Sequence, residues 1–538
     1  MTVRFSIAAV SMACALIGSG EAFAQRGGGD WMTSGMDGQR SGWVRADSKI
    51  SDASMKKPGF QFLWKLKLNG QPRQLNSLTA PALLDFYIGY KGFRTLGFFG
   101  TSADTVIAVD TDLARVEWEK TLGSSAKTAN PTLDCPGGMT SAVTRRTSVG
   151  YPPTPAGGRG GGGFGRAGGA KSAVGLPGEG AAILKEERPQ QPARMPPAAP
   201  PAKPGRRAAP VANAFGRAIQ WVDALTSDGK LHSVYVSNGD EPNPAVSFLP
   251  ANANAQGLIV FDGTAYAETV NSCGGVENGL WALDLESKKV SHWKAGATGV
   301  GGSAGPAVGP DGTIYATDGS DLVALEAAAL TVKSTYKAGA KLTSSPVVFE
   351  FKGKDLLAVT AADGTLHLLD TAKPDAPLAK SAPFSGAEYA AGALASWQDG
   401  SGNRWVLAPA GPMGGAKNGS IAAFKVVERN GLATLETAWT SRAMTSPLPP
   451  IVVNGVIFAL SSGEYRTADT KMPAADRAKK SSNAVLYALD AATGKELWNS
   501  GSKIASFAHS GGLAAGGNRI YVGTYDGTQY VFGMPMEH

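Results

Sequence analysis

Residues 485–498, VLYALDAATGKELW, decide the fold because they contain one strand, a turn and the start of a return strand. Leu486 and Leu489 belong to the apolar strand, residues 490–494 form the turn, and the return strand ends in Trp498. Copies of the same pattern occur at 106–118 (VIAVDTDLARVEW) and 280–293 (LWALDLESKKVSHW) and, more loosely, from Leu322, Thr365 and Ile421. This internal repetition predicts a repeat architecture.

A second pattern precedes most copies and completes a four-stranded unit. It consists of small residues with proline, an apolar strand, a turn and another strand, as in residues 304–317 (AGPAVGPDGTIYAT) and 445–460 (TSPLPPIVVNGVIFAL). Asp311-Gly312 and Asn454-Gly455 are typical of tight hairpins. The whole unit, of about 40 to 55 residues, has the length of one propeller blade. We therefore predict an all-β, eight-bladed β-propeller of four-stranded antiparallel blades, which begin near Thr79, Gly138, Gly257, Gly305, Ser345, Ala391, Ser446 and Gly511.

The last predicted blade ends before its outer, Trp-bearing strand. Residues 62–68 (FLWKLKL), near the other end of the chain, include a tryptophan and alternate apolar and polar side chains over their second half. Pairing this segment with the last blade would close the ring and hide strand edges that otherwise promote aggregation. The N- and C-terminal segments are therefore expected to pair.

Residues 150–215 differ from the rest of the chain. They are rich in Gly, Pro, Ala and Arg, as in GGRGGGGFGRAGG, and cannot bury enough apolar surface to offset the entropy of ordering. We predict a disordered insertion in the second blade, with the propeller formed by residues 25–149 and 216–538. An RNA-binding Arg-Gly tract is the alternative, and a solvated loop is favoured for an exported protein.

The N-terminus has the pattern of a secretory leader. Arg4 is followed by an apolar stretch, and Ala22-Phe23-Ala24 forms a cleavage site, which predicts a signal peptide at 1–24. A membrane anchor would need a longer apolar run, and an acylated Cys14 lacks the usual preceding leucine. We therefore expect a periplasmic or secreted monomer that does not span a membrane. The formal charge of +7 is concentrated around the insertion, which argues against a nucleic-acid partner.

The repeats resemble those of the quinoprotein alcohol dehydrogenase family, over most of the region from Asp30 to Met536 outside the insertion. The resemblance implies an eight-bladed fold with pyrroloquinoline quinone (PQQ) and a calcium ion over the central channel. Cys135 lies where relatives carry two adjacent cysteines beside the cofactor. Glu277 lies where they place a calcium-binding glutamate, and Asp318 where they place an asparagine on the same ion. A hairpin turn is the alternative explanation for Asp318.

Other features depart from the catalytic relatives. Between the fourth and fifth blades, relatives carry an acidic segment with the catalytic aspartate, whereas residues 337–343 (KAGAKLT) contain no carboxylate. General-base catalysis needs such a group within hydrogen-bond reach of the substrate, so the catalytic residues stay unknown. No C-x-x-C-H motif is present, so no covalent c-type haem is expected.

His509 is the histidine best placed for a binding role, because it precedes the last blade and could point toward the channel. None of the five histidines lies in a zinc-binding motif. We therefore include His509 with Cys135, Glu277 and Asp318 as candidate cofactor-binding residues, and Glu277 and Asp318 as candidate metal ligands.

After removal of the leader, only Cys135 and Cys273 remain. In a propeller, connections between blades and loops between the second and third strands lie on the same face. Cys135 lies in the first kind of connection and Cys273 in the second kind, one blade further on. We therefore predict a disulfide between them, which would contribute about 2 to 4 kcal/mol. The alternative is two free thiols.

Two classes of function follow from these observations. One is a binding or scaffolding propeller that holds a protein, peptide or glycan on its loop face. The other is a PQQ- and calcium-dependent dehydrogenase of alcohols or sugars. The missing aspartate segment, the single cysteine and the absent haem motif favour the first.

Overall fold

The fold is given by a computed structural model, which describes residues 30–70, 74, 77–89, 91–123, 131–148, 150–151, 220–296, 299–509 and 513–535. The predicted signal peptide lies outside the described residues. So does the predicted insertion, apart from Gly150 and Tyr151. The export of the chain and the disorder of its insertion therefore stay predictions.

The described part of the chain contains short strands and two short α-helices. The first elements are β1 (Trp43–Val44), α1 (Asp52–Met55) and β2 (Gln61–Lys67). Blades 1 to 4 follow as β3 (Ala82–Gly89), β4 (Gly92–Gly100), β5 (Thr105–Asp110) and β6 (Arg115–Thr121); β7 (Thr144–Arg145), β8 (Trp221–Leu225), β9 (Lys230–Tyr235) and β10 (Val246–Ser247); β11 (Asn254–Phe261), β12 (Thr264–Val270), β13 (Gly279–Asp284) and β14 (Val290–Lys294); β15 (Ala307–Val308), β16 (Ile314–Asp318), β17 (Asp321–Leu325) and β18 (Val332–Lys337).

Blades 5 to 8 complete the series. They are β19 (Val347–Phe351), β20 (Lys354–Thr360), β21 (Leu366–Asp370) and β22 (Lys373–Lys380); β23 (Ala395–Gln398), β24 (Arg404–Ala410), β25 (Ser420–Arg429) and β26 (Leu432–Thr440); β27 (Ile451–Val453), β28 (Val456–Ser461), α2 (Ala474–Lys480), β29 (Val485–Asp490) and β30 (Glu496–Asn499); β31 (Leu513–Gly516), β32 (Arg519–Gly523) and β33 (Thr528–Gly533), which β2 joins.

Eight antiparallel sheets confirm the predicted eight-bladed propeller, and seven of them have four strands. Blade 7 has a fifth strand, because β1 pairs in parallel with β27 at the inner edge. Burial decreases outward within a blade: every residue of β5 is buried, whereas most of β6 is exposed. This gradient explains why the third strand of each blade, which begins the repeated pattern, is continuously apolar and the return strand mixed.

The tryptophan that ends the repeat unit docks on the next blade. Trp118 donates its indole N–H to the carbonyl oxygen of Val236 at 3.1 Å, and Trp439 donates to that of Ala491 at 3.2 Å. Gly494 has a φ of +69°, and a Cβ at this position would lie 2.4 Å from the Trp439 ring. The glycine in the repeat therefore provides both the left-handed turn and the space for the tryptophan of the preceding blade.

Pairing of β2 with β33 closes the ring, as predicted. The antiparallel register runs from Gln61 opposite Gly533 to Lys67 opposite Thr528. Trp64 of β2 donates its indole N–H to the carbonyl oxygen of Thr111 in blade 1, at 3.1 Å. The closing strand thus docks on the following blade as the other outer strands do.

A segment that the repeats do not account for fills the central channel. Residues 30–44, here called the plug, form hydrogen bonds with the innermost strands of blades 1 to 7 in turn. These bonds are Leu83 N–H to Trp31 O, Arg145 N–H to Met32 O, Thr33 Oγ1–H to Leu258 O, Val308 N–H to Gly38 O, Val348 N–H to Gln39 O, Ser396 N–H to Ser41 O and Val452 N–H to Gly42 O, at 2.7 to 3.0 Å. Trp31 and Arg40 are each only 1% exposed. The plug therefore belongs to the core of the ring.

Candidate functional site

The two faces of the propeller carry different connections. Turns between the first and second strands and between the third and fourth strands lie on one face, here called the turn face. Connections between blades, and loops between second and third strands, lie on the other, here called the loop face. The two longest of these inner loops, residues 411–419 of blade 6 and 462–484 of blade 7, are neighbours on the loop face.

Cys135 and Cys273 are joined by a disulfide, with their Cα atoms 5.4 Å apart. The bond ties the connection before blade 2 to the inner loop of blade 3. Asn254 and Asn271 reinforce this link, because both side-chain amides donate to the carbonyl oxygen of Asp134, at 2.7 and 3.0 Å. The disulfide region is therefore a well-connected part of the loop face.

The two candidate calcium ligands are held by other partners. Glu277 is exposed and forms an ion pair with Lys294, and His292 lies 4.0 Å from its carboxylate. The hydrogen bond from Lys294 lowers the pKa of Glu277. Asp318 ends β16, and its carboxylate accepts the N–H of Gly296 at 2.8 Å. Each carboxylate thus has a structural role in its own blade.

A calcium ion needs six to eight oxygen ligands, several of them from carboxylates. In the described ranges, no three His, Cys, Asp or Glu side chains come together in a way that could hold a metal ion. The residues present therefore do not fit the calcium site that the resemblance implies. Where relatives place the catalytic aspartate, Ala338 and Leu342 are buried between blades 4 and 5.

Above the plug, the channel contains a small cavity. Its volume is about 60 Å³, and it is lined by Trp31, Gly35, Gly42, Leu394, Leu448 and Leu513, among others. Pockets for small organic ligands usually have volumes of about 300 to 1,000 Å³. This cavity is therefore too small for a ligand of that size.

The inner loop of blade 7, residues 462–484, crosses the mouth of the channel and is here called the cap loop. Arg466 donates to the carbonyl oxygen of Ala390, before blade 6, at 3.3 Å. The N–H of Leu133, before blade 2, donates to the carbonyl oxygen of Thr470 at 3.1 Å. Blades 2 and 6 lie on opposite sides of an eight-bladed ring, so a loop that contacts both must pass over the channel.

Buried charges hold the cap loop in place. Glu464 lies 2.6 Å from Nδ1 of His509 and 3.5 Å from Nε of Arg477, and the side chains of Glu464 and Arg477 are almost fully buried. Burial alone would raise the pKa of Glu464, but His509 and Arg477 reverse the effect and lower it. Arg477 also donates to the carbonyl oxygen of Gln74 before blade 1. His509, a predicted cofactor-binding residue, therefore contacts Glu464 and anchors the cap loop.

Beside the cap loop lies an open pocket of about 370 Å³, here called the blade 6–7 pocket. Its walls come from the inner loops of blades 6 and 7 and from the connections that precede these blades. The lining residues are Tyr389, Pro412, Lys417, Gly419, Thr445, Ser446, Pro447, Gly463, Glu464, Tyr465, Arg466, Lys480 and Ser482. Its volume falls in the range of ligand sites.

Cations and aromatic rings dominate this pocket. The guanidinium of Arg466 lies 4.8 Å from the centre of the Tyr389 ring, and the ammonium of Lys480 lies 4.9 Å from that of Tyr465. Tyr389 is fixed by a hydrogen bond from its hydroxyl to the carbonyl oxygen of Pro447, at 2.9 Å. The arrangement is suited to binding an anionic group through charge and hydrogen bonds.

No sequence pattern predicts this pocket. Its residues come from four separate segments, and none of them lies in a recognisable motif. The available signal was spacing, because the interval between β28 and β29 is far longer than the corresponding intervals in the other blades.

Neither α-helix in the described part of the chain has the length and apolar character required to cross a membrane.

Comparison with known proteins supports the fold. A family model described as outer membrane protein assembly factor BamB matches residues 481–533. No curated protein sequence matches the chain.

Solved structures match over nearly the whole chain. The quinohemoprotein alcohol dehydrogenase from Comamonas testosteroni is 13% identical, with a TM-score of 0.55 over 96% of this chain and 83% of that one. The quinohemoprotein alcohol dehydrogenase ADHIIG from Pseudomonas putida HK5 is 11% identical, with a TM-score of 0.54 over 95% and 82%. A europium-containing methanol dehydrogenase is 10% identical, with a TM-score of 0.51 over 95% and 99%. At these identities the likeness concerns the fold, and the chain has the fold of the PQQ-repeat β-propellers.

Proposed function

We propose that this PQQ-repeat propeller is an exported binding module that holds a protein, peptide or glycan partner on its loop face, at the blade 6–7 pocket. One contrast carries the proposal: the channel cavity measures about 60 Å³, whereas the open pocket beside the cap loop measures about 370 Å³. The resemblance places the cofactor over the central channel, but the larger of these two described spaces lies beside the channel. The BamB description of the family model is consistent with a scaffolding role.

A PQQ-dependent dehydrogenase is the second candidate. The fold of the two quinohemoprotein alcohol dehydrogenases favours it, as does the Cys135–Cys273 disulfide, which lies where the resemblance places a cysteine pair beside the cofactor. Against it stand the partners of Glu277 and Asp318, which hold these carboxylates in two separate contacts. We rank it below the binding module for that reason.

Site-specific photo-crosslinking in cells tests the binding module. A benzophenone amino acid at position 465, in the pocket, is expected to crosslink a partner that mass spectrometry can identify. The matched control is position 93, where Phe93 is 60% exposed on the turn face of blade 1. Equal yields from both positions, or no product from any loop-face position, would contradict the proposal.

Cofactor titration separates the two candidates. Purified protein is titrated with PQQ and Ca²⁺, and dye reduction is then assayed with mixed alcohols and aldoses. The binding module predicts no turnover. Saturable PQQ binding with substrate-dependent dye reduction would replace it by the dehydrogenase.

A further inference from the structure

Three cations of the blade 6–7 pocket have no carboxylate within ion-pair distance among the described residues. Lys417, Arg466 and Lys480 are exposed, and no ion pair is found for any of them within the described part of the chain. Elsewhere the exposed lysines of the ring often pair, as Lys352 does with Glu428 and Lys337 with Asp321. The exposed positive charge of this pocket is therefore available to an anionic ligand.

The one carboxylate in the lining does not neutralise the pocket. Glu464 is buried against His509 and Arg477, and both residues act on its carboxylate more strongly than Arg466 does. Glu388 precedes Tyr389 in the chain but is absent from the pocket wall. The potential in the pocket is therefore positive, and a ligand with several negative charges gains the most from it.

Aromatic side chains position two of the cations. Arg466 packs over Tyr389 and Lys480 over Tyr465, so both side chains lose part of their conformational freedom before a ligand arrives. This preorganisation lowers the entropic cost of binding. The hydroxyl groups of Thr445, Ser446 and Ser482 line the same wall, but each donates to an acceptor within the protein, so the cations are the groups that would bind an anion.

We propose that the blade 6–7 pocket binds an acidic segment of a protein partner, whose carboxylates pair with Lys417, Arg466 and Lys480. This inference rests on the proposed function and specifies the chemistry of the partner. A peptide suits the pocket better than a compact metabolite because the pocket is open at the surface and its cations come from two different loops and a helix end. Carboxylates on successive residues can reach such separated cations.

Fluorescence polarisation with the purified full chain tests the inference. The probe is a fluorescein-labelled tetraglutamate peptide, and the matched probe is tetraglutamine. We expect saturable binding of the first only, weakened by added salt because the pairs are exposed. In the K417Q/K480Q variant the Kd for tetraglutamate is expected to rise about tenfold or more. The control variant is K471Q, which changes an exposed lysine of the same cap loop outside the pocket wall.

Several outcomes would overturn the inference. Equal affinity for both peptides would do so, as would equal affinity of K417Q/K480Q and the unmodified protein. A third arm uses citrate: if citrate binds and tetraglutamate does not, a free polycarboxylate replaces the acidic segment as ligand. If tetraglutamate does not bind but position 465 crosslinks a partner, only the acidic character of the partner is rejected. If no loop-face position crosslinks a partner, the binding module itself is rejected.

Discussion

The channel and the blade 6–7 pocket use arginine in opposite ways. Arg40 of the plug is buried, and its guanidinium donates to the carbonyl oxygens of Pro306, Ser34 and Gly257 at 2.6 to 2.9 Å. Arg466 in the pocket is exposed and makes one such bond, at 3.3 Å, while it packs on Tyr389. The axis of this propeller is thus occupied by its own chain, whereas Arg466, beside the axis, retains N–H groups that can donate to a ligand.

Two buried glutamates repeat the contrast. Glu268 of blade 3 is buried, and this burial raises its pKa to about 8, although the charge of Arg40 acts in the opposite direction. Glu464 of the cap loop is also buried, yet its pKa is lowered because His509 and Arg477 outweigh desolvation. The core of the ring thus favours a neutral carboxyl group, and the cap loop favours a charged one.

The largest effect is expected from Arg40→Met. It removes a buried guanidinium and leaves three carbonyl oxygens without their donor, which should lower the free energy of unfolding by about 3 to 5 kcal/mol. Urea denaturation measures the change, and Arg429→Met, at an exposed ion pair with Glu436, is the matched control. A loss no larger than that of the control would mean that the plug contributes little to the stability of the ring.

Removal of the disulfide is expected to have the next largest effect. Cys135→Ser with Cys273→Ser should lower the free energy of unfolding by about 2 to 4 kcal/mol, because the bond restricts the unfolded chain between residues 138 positions apart. Denaturation of the double variant beside the unmodified protein gives the difference. The affinity of the pocket for its ligand should not change, since the disulfide links blades 2 and 3. A change in that affinity would show that the disulfide region and the blade 6–7 pocket are coupled.

The two glutamates predict opposite effects of pH. The pKa of Glu464 is lower in the folded state, so its stabilising contribution is present above its ordinary pKa of 4.5 and is lost as the pH falls through the folded-state pKa. Glu464→Gln should therefore cost about 1 to 3 kcal/mol at neutral pH, as expected for a charged hydrogen bond, and less in acid.

Glu268→Gln is the control with the opposite sign. The pKa of Glu268 is raised in the folded state, so its contribution to stability is present below 4.5 and is lost as the pH rises toward 8. Unfolding free energies of both variants and the unmodified protein across this range provide the measurement. Parallel pH profiles for the two variants would contradict the assignment of a charged cap loop and a neutral core.

The ring was predictable from the sequence because each blade repeats a local pattern. A continuous apolar strand, an Asp- or Asn-containing turn and a docked tryptophan recur, and each has a local physical cause that a single repeat already contains. The closing strand was predictable for the same reason, since residues 61–67 are the missing outer strand of blade 8. These features account for the fold and for the separation of the two faces.

The plug and the pocket were not predictable in the same way. Residues 30–44 have no repeat, and their hydrogen bonds reach seven different blades, so their role exists only once the ring is closed. The pocket joins Tyr389, Lys417, Arg466 and Lys480, which are brought together by irregular loops and not by a motif. His509 was selected from its position before the last blade, but its partner Glu464 lies in the cap loop, whose path the sequence pattern does not define.

The smallest effect on stability is expected from the pocket itself. Lys417→Gln and Lys480→Gln remove exposed charges without ion-pair partners among the described residues, so each should change the free energy of unfolding by less than about 0.5 kcal/mol. Because three cations line one pocket, the loss of one positive charge should be slightly stabilising at low salt, and this effect should vanish at high salt. Thermal unfolding at two salt concentrations checks this, with Lys471→Gln as control. A clear destabilisation would mean that these lysines, like Arg40, stabilise the fold. The division between a structural axis and a binding pocket would then be wrong.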